Sequence, residues 1–213
     1  MRARGMTFPT TNDHRRQTSF MPALSHSYPE PVVTYSPLAE GVEGTFQTLD
    51  AMRGAVMGDI PPQFSGYQDQ FNLRAAQTIC ESSLPPAGTG DDRSQIAALF
   101  AFCRDQINYL DHPWNMQVVK DCKRTLESRE GDCVSKSVCL ATLLASLGHA
   151  SRFVAQAPSN NDYDHVYVEV WTDGQWLALD PTADGQEGRP LADVGWRQAL
   201  PAGGIETPYT IFF

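Results

Sequence analysis

HVYVEVWTDGQWLALD, residues His165–Asp180, is two apolar, β-branched and aromatic runs joined by Asp173-Gly174. An Asp-Gly pair between such runs is a strong short-range signal for a β-hairpin. With the turn centred on that pair, Thr172 faces Gln175, Trp171 faces Trp176, Glu169 faces Ala178 and Tyr167 faces Asp180. Side chains alternate along a strand, so His165, Tyr167, Glu169 and Trp171 share one face with Trp176, Ala178 and Asp180. His165 and Asp180 are then diagonal neighbours, roughly 7–8 Å apart by backbone and within reach through their side chains. Alone, His165 reads as an ordinary strand histidine and Asp180-Pro181 as a strand end. Together on one face they read as a base beside its orienter.

Upstream, Asp132 is placed to cap a helix from about Cys133 to Leu147, with Gly148 as its closing residue. Val134, Val138, Ala141 and Ala145 form one stripe, and Leu140, Leu143, Leu144 and Leu147 carry it around most of the circumference. A helix apolar nearly all round is a buried one. Cys133 falls in its first turn, where unpaired backbone N–H groups favour a thiolate. A free thiol has a pKa of about 8.5, and both a helix N-terminus and a nearby imidazolium lower it. Gly131 allows close approach with no side chain in the way. If this helix end meets the His165 face, a thiolate–imidazolium pair results, with Asp180 holding the ring.

The remaining elements follow from the same rules. Phe71, Ala75, Ile79 and Cys80 repeat at helical spacing, and Asp92 or Ser94 is placed to cap a further helix. Its buried face would be Ile96, Leu99, Phe100, Cys103 and Ile107, ending at His112-Pro113-Trp114. Arg152–Ala157 reads as a strand. Residues 1–60 read as an extended N-terminal arm, poor in aliphatics over Met1–Pro37. Within it Pro31–Tyr35 suits a short docked strand, and Phe46, Leu49, Met52 and Val56 share a helical face. Helices precede strands, so the class is α+β: a nucleophile helix packed on an antiparallel sheet.

Composition sets the outer bounds. The 213 residues carry a formal net charge of −9, which argues against a nucleic-acid groove built on phosphate neutralisation. The longest apolar stretch falls short of a bilayer span of roughly 20 residues, and the N-terminus lacks the order of a secretory signal. The five cysteines, Cys80, Cys103, Cys122, Cys133 and Cys139, have no CxxC spacing, which fits a reducing compartment. Cys80, Cys103 and Cys139 sit on apolar faces as small hydrophobes, and Cys122 reads as an exposed thiol. His14, His26, His112 and His149 read as surface or capping residues. A metal site from Cys122, Cys133, Cys139 and His165 lacks any paired-ligand motif.

Gly131-Asp132-Cys133, the apolar helix ending Leu147-Gly148, the strand from Ser151 to Val154, His165 through Val170, and Trp176 through Asp180-Pro181-Thr182 resemble the transglutaminase-like core. The resemblance spans about Gln95 to Gly185, and the lead-in from Ile107 to Gly131 is most similar to short copies in tailed bacteriophages. It implies a papain-related fold over 61–213, with Cys133 as nucleophile, His165 as base and Asp180 as orienter. Many relatives have acidic residues after the cysteine, where this chain has Val134-Ser135-Lys136. The Cys133 backbone N–H is one expected oxyanion donor; Trp114 and Gln117 are the side-chain candidates, with Gln117 preferred.

Two functions follow as expectations. One is thiol acyl transfer on a protein or peptide substrate, as peptidase, deamidase or transamidase, with no metal or organic cofactor. The other is a virion structural or assembly protein that keeps the site quiescent, contacting virion proteins through the N-terminal arm and the apolar tail Tyr209–Phe213. The expected location is the bacterial host cytoplasm or the virion.

Overall fold

The computed structural model describes residues 33–37, 41–58, 69–83, 91–111, 116–157, 165–182 and 196–202. In chain order these form β1 (Val33–Pro37), α1 (Gly41–Met57), α2 (Gln70–Ser83), α3 (Asp92–Asp105), β2 (Asn108–Tyr109), β3 (Met116–Lys120), α4 (Cys122–Ser128) and β4 (Glu130–Gly131). Then come α5 (Cys133–Ser146), β5 (Ser151–Ala157), β6 (His165–Thr172), β7 (Gln175–Leu179) and β8 (Trp196–Pro201).

Helix α5 is the axis of the molecule. Its residues from Cys133 through Ala145 are all buried, as an all-round apolar sequence requires. The Asp132 carboxylate caps it by accepting the Ser135 N–H at 2.8 Å, and Gly148 ends it at φ +92°, a conformation that L side chains rarely adopt. Helices α1 to α4 pack around it on one side. The other side is covered by an antiparallel sheet in the order β7-β6-β5-β8. The inner sheet face, with Phe153, Ala155, Val166, Val168, Val170 and Leu179, joins the main core. The opposite face carries a small cluster of Val154, Tyr167 and Ala178.

The β6–β7 hairpin has the register its sequence dictates: Thr172 opposite Gln175, Trp171 opposite Trp176 and Glu169 opposite Ala178. Asp173 at φ 51° and Gly174 at φ 76° give two consecutive positive values, as a two-residue turn matched to strand twist needs. Trp171 and Trp176 meet edge to face with centroids 5.3 Å apart, a cross-strand packing pair.

Several local expectations are corrected. Asp91, not Asp92 or Ser94, caps α3, accepting the Ser94 N–H at 2.9 Å. That helix ends at Asp105 rather than at Pro113, because Asn108 leaves it to pair with β4. Cys122 is not exposed; it begins the unforeseen α4 and is 1% accessible, with its sulfur 3.5 Å from that of Cys139. His149 is buried against the Gln95 side chain at 3.0 Å rather than lying on the surface. Strands β3 and β8 are not foreseen from the sequence either, each being short and deriving its pairing from a distant partner. Within the stretch read as an arm, β1 pairs antiparallel with β3, and α1 places Leu49, Met52 and Val56 in the main core, while Phe46 faces outward. Residues 1–32, Trp114 and the tail Tyr209–Phe213 lie outside the described residues.

Candidate active site

Three elements converge on the N-terminus of α5. Strand β4 delivers the chain to the Asp132 cap, which fixes the first turn and with it Cys133. Gly131 sits tight against this turn: a Cβ there would lie 3.0 Å from Ser135 Cβ and 3.5 Å from Lys136 Cγ. His165 opens β6, and Asp180 directly follows β7, so the hairpin sets their spacing.

The His165 Nε2–H donates to Asp180 Oδ2 at 2.8 Å. The second carboxylate oxygen accepts from the Thr182 backbone N–H at 3.0 Å and from the Thr182 hydroxyl at 2.8 Å. Both oxygens are therefore used, and the carboxylate has one orientation. With Nε2 committed to Asp180, Nδ1 is the ring nitrogen left to interact with the Cys133 thiol. The ring also stacks on Tyr167, with centroids 6.4 Å apart and planes at 16°. Cys133, His165 and Asp180 thus come together as one connected group, assembled from a helix tip and the two ends of a hairpin.

Burial disfavours a charged His165, but hydrogen bonds to Asp180 and Cys133 and their negative charge outweigh it and hold the imidazole up to about 10. Burial likewise opposes the charge of Asp180, yet His165 and the two Thr182 bonds keep its carboxyl below the ordinary range. A raised base beside a lowered acid is what a charged pair requires.

Gln117 lies on β3, which packs against α5, and is buried with its amide nitrogen 3.4 Å from the Val118 carbonyl. Cys80 and the Cys103–Cys122–Cys139 group are buried in the core, and burial raises every one of these thiols.

Three residues near the site are not foreseen from the sequence. Lys136, one turn after Cys133, is 1% accessible, and its ammonium donates to the carbonyls of Ile107 at 2.8 Å and Arg104 at 3.3 Å. It ties the end of α3 to the first turn of α5. Burial lowers its pKa, and Cys103 and Asp180 are among the groups that counter this. A lysine inside an all-apolar helix is the signal that could have found it. Thr182 stands in the Asp180-Pro181-Thr182 run, and the Asx turn that such a run favours, with the Asp carboxylate accepting the N–H two residues on, is the local signal that could have found it. Gln156 is directly opposite His165 across β5–β6 and buried, and its carboxamide oxygen has no hydrogen-bond partner among the described residues. Farther along that face, Arg152 pairs with Glu169 at 2.6 Å and lies over the Trp176 ring.

Residues 85–181 match the family model described as the transglutaminase-like superfamily. That segment, just under half of the chain, is transglutaminase-like. Cys133, His165 and Asp180 all fall within the matched segment. Among solved structures, this chain is similar to a candidate protease from Parabacteroides distasonis, with 15% identity and a TM-score of 0.50, covering 73% of this chain and 29% of that one. A candidate cysteine protease from Cytophaga hutchinsonii matches at 14% identity and a TM-score of 0.40, over 73% of this chain and 60% of that one. A protein named as a TGase matches at 18% identity and a TM-score of 0.40, over 57% of this chain and 34% of that one. The chain therefore spans about a third to three-fifths of the length of these structures, and the first of them shares its fold. Among curated proteins none matches. No helix among the described residues is long and apolar enough to cross a membrane.

Proposed function

We propose that this transglutaminase-like core performs thiol acyl transfer on an amide or ester carbonyl of a protein or peptide. Cys133 attacks the carbonyl carbon, His165 carries the thiol proton and then delivers a proton to the leaving amine or alcohol, and Asp180 fixes the ring. The acyl-enzyme passes to water in a peptidase or deamidase, or to an amine in a transamidase. The Cys133 backbone N–H, at the first helical position with no partner four residues back, is the natural donor to the developing oxyanion. Gln117 is the side-chain candidate for a second donor.

The observation that carries this reading is the 2.8 Å His165–Asp180 bond on one ring nitrogen, with the Cys133 thiol interacting with the same ring. The virion-scaffold reading draws on the N-terminal arm and the C-terminal tail, most of which lie outside the described residues.

Iodoacetamide at neutral pH tests the proposal, with peptide mapping by mass spectrometry. Burial pushes the Cys80 thiol up to about 11 and raises those of Cys103, Cys122 and Cys139. Cys133 is expected to label at least about tenfold faster than any of them, since the thiolate is the reactive form. His165→Ala is expected to remove most of that advantage. Equal labelling of all five cysteines in the folded protein would refute the activated-thiol reading.

A further inference from the structure

Cys133 stands between two attachments to one stretch of chain. On its N-terminal side β4 pairs parallel with β2, the Asn108 N–H donating to Arg129 O at 2.8 Å and the Leu110 N–H to Gly131 O at 3.1 Å. On its C-terminal side the Lys136 backbone N–H donates to Asp132 O at 3.0 Å and closes the first turn of α5. The Lys136 ammonium reaches out of that turn and donates to Ile107 O at 2.8 Å and to Arg104 O at 3.3 Å. Residues 104–110 thus hold the chain before the nucleophile through backbone bonds, and after it through one lysine side chain.

The second attachment runs against ordinary preference. A cation near a helix N-terminus opposes the macrodipole, and an ammonium taken out of water costs free energy that an apolar side chain of similar length avoids. Lys136 is nevertheless 1% accessible. The end of α3 explains what it meets there. Arg104 lies in the last turn of α3, and the helical partner of its carbonyl would be the Asn108 N–H, which is given to Arg129 O instead. The departure of the chain into β2 therefore frees the carbonyl that the ammonium takes, and a cation at a helix C-terminus suits the dipole of α3. One charge joins the end of α3 to the start of α5. A bond of this kind fixes geometry more than it adds stability, because a buried charge replaced by an apolar side chain often leaves stability little changed.

We infer that Lys136 is a positioning residue for the nucleophile: by holding the first turn of α5 to the Arg104 and Ile107 carbonyls, its ammonium sets the place of Cys133 relative to the His165 ring. It acts through the turn rather than on the reacting atoms. The inference rests on the thiol-site reading and adds to it the residue that aligns the thiol.

Iodoacetamide labelling of Cys133 in the full-length folded protein reads this placement. Lys136→Met keeps most of the bulk and removes both bonds, and it is expected to slow Cys133 labelling about tenfold, since a displaced thiol loses the ring that activates it. The loss must run through His165. In the Lys136→Met protein, the further change His165→Ala is expected to slow labelling by less than about twofold, because the contact that it would remove is already gone. The His165 ring gives a spectroscopic signature: the Cys133 thiol helps to hold its titration up, so in Lys136→Met its resonances should titrate lower, as they do in Cys133→Ala. Circular dichroism and the melting temperature check that Lys136→Met folds. The wild type carries a test that needs no variant: brief acetylation of the native protein should modify Lys120 and Lys123 at least about tenfold faster than Lys136, whose amine is enclosed and bonded. Unchanged Cys133 labelling in Lys136→Met overturns the inference, as does a His165→Ala effect as large there as in the wild type, an unmoved ring titration, or acetylation of Lys136 at the rate of Lys120. If the wild type fails to label Cys133 ahead of the buried cysteines, the thiol-site reading falls and this inference with it; selective labelling that is indifferent to Lys136 removes the inference alone.

Discussion

Replacing Asp180 with Asn leaves the shape of the carboxylate but removes its charge. In the native protein the His165 imidazole is held up to about 10, against an ordinary value of 6.5. A group whose folded pKa is raised contributes stability that is fully present below pH 6.5 and is lost as pH rises through about 10. The ring is buried with 21% of its side chain accessible, so solvent screens the interaction only partly. A tenfold gain in proton affinity corresponds to about 1.4 kcal/mol, and the gain here is shared between Asp180 and Cys133, so the Asp180 part comes to about 2–3 kcal/mol. The assay is urea denaturation at several pH values between 6 and 10.5, on the Cys133→Ala protein with and without Asp180→Asn. The Cys133→Ala background keeps the thiol from titrating with the ring. The stability gap between the two proteins is expected to be widest near pH 6 and to shrink by about 2–3 kcal/mol by pH 10.5. Imidazole resonances in the same samples give the ring titration directly, and Asp180→Asn should move it downward. A gap that stays constant with pH, or a ring that titrates at its ordinary value in the presence of Asp180, would refute the charge-pair argument.

Two further outcomes follow from packing. Met52→Ala should cost about 2–5 kcal/mol in chemical denaturation, because a fully buried side chain of α1 leaves a cavity in the main core; a change under about half a kcal/mol would mean that α1 does not pack there. Gly131→Ala should cost about 1–3 kcal/mol and slow Cys133 alkylation, since the new Cβ meets Ser135 Cβ at 3.0 Å in the turn that presents the thiol; unchanged stability and labelling would show that this turn tolerates displacement.

Much of the site is legible in the sequence because its geometry is local. The hairpin register depends on Asp173-Gly174 and the two-residue period, and both act over a few residues. That is why the facing pairs from Glu169–Ala178 to Thr172–Gln175 can be read from the residues alone. The Asp132 cap and the Gly148 stop of α5 are readable for the same reason. Where signals are weak or non-local, the reading fails. Strand β3 pairs with β1 some eighty residues earlier in the chain, and no local pattern encodes that partner. Cys122 reads as an exposed thiol because α4 is only a short helix; its burial follows from packing on α5.

The sequence by itself therefore determined the hairpin, the buried helix and the shared face of His165 and Asp180, since these follow from side-chain periodicity and turn chemistry. Only the tertiary structure decided that the tip of α5 meets the His165 ring and that Lys136 ties this tip to the carbonyls ending α3. It likewise decided that β2 lies against the segment entering Cys133 with its far edge open among the described residues. These contacts join residues far apart along the chain, and their geometry is set by how helices and sheet fill a common core rather than by any short-range preference.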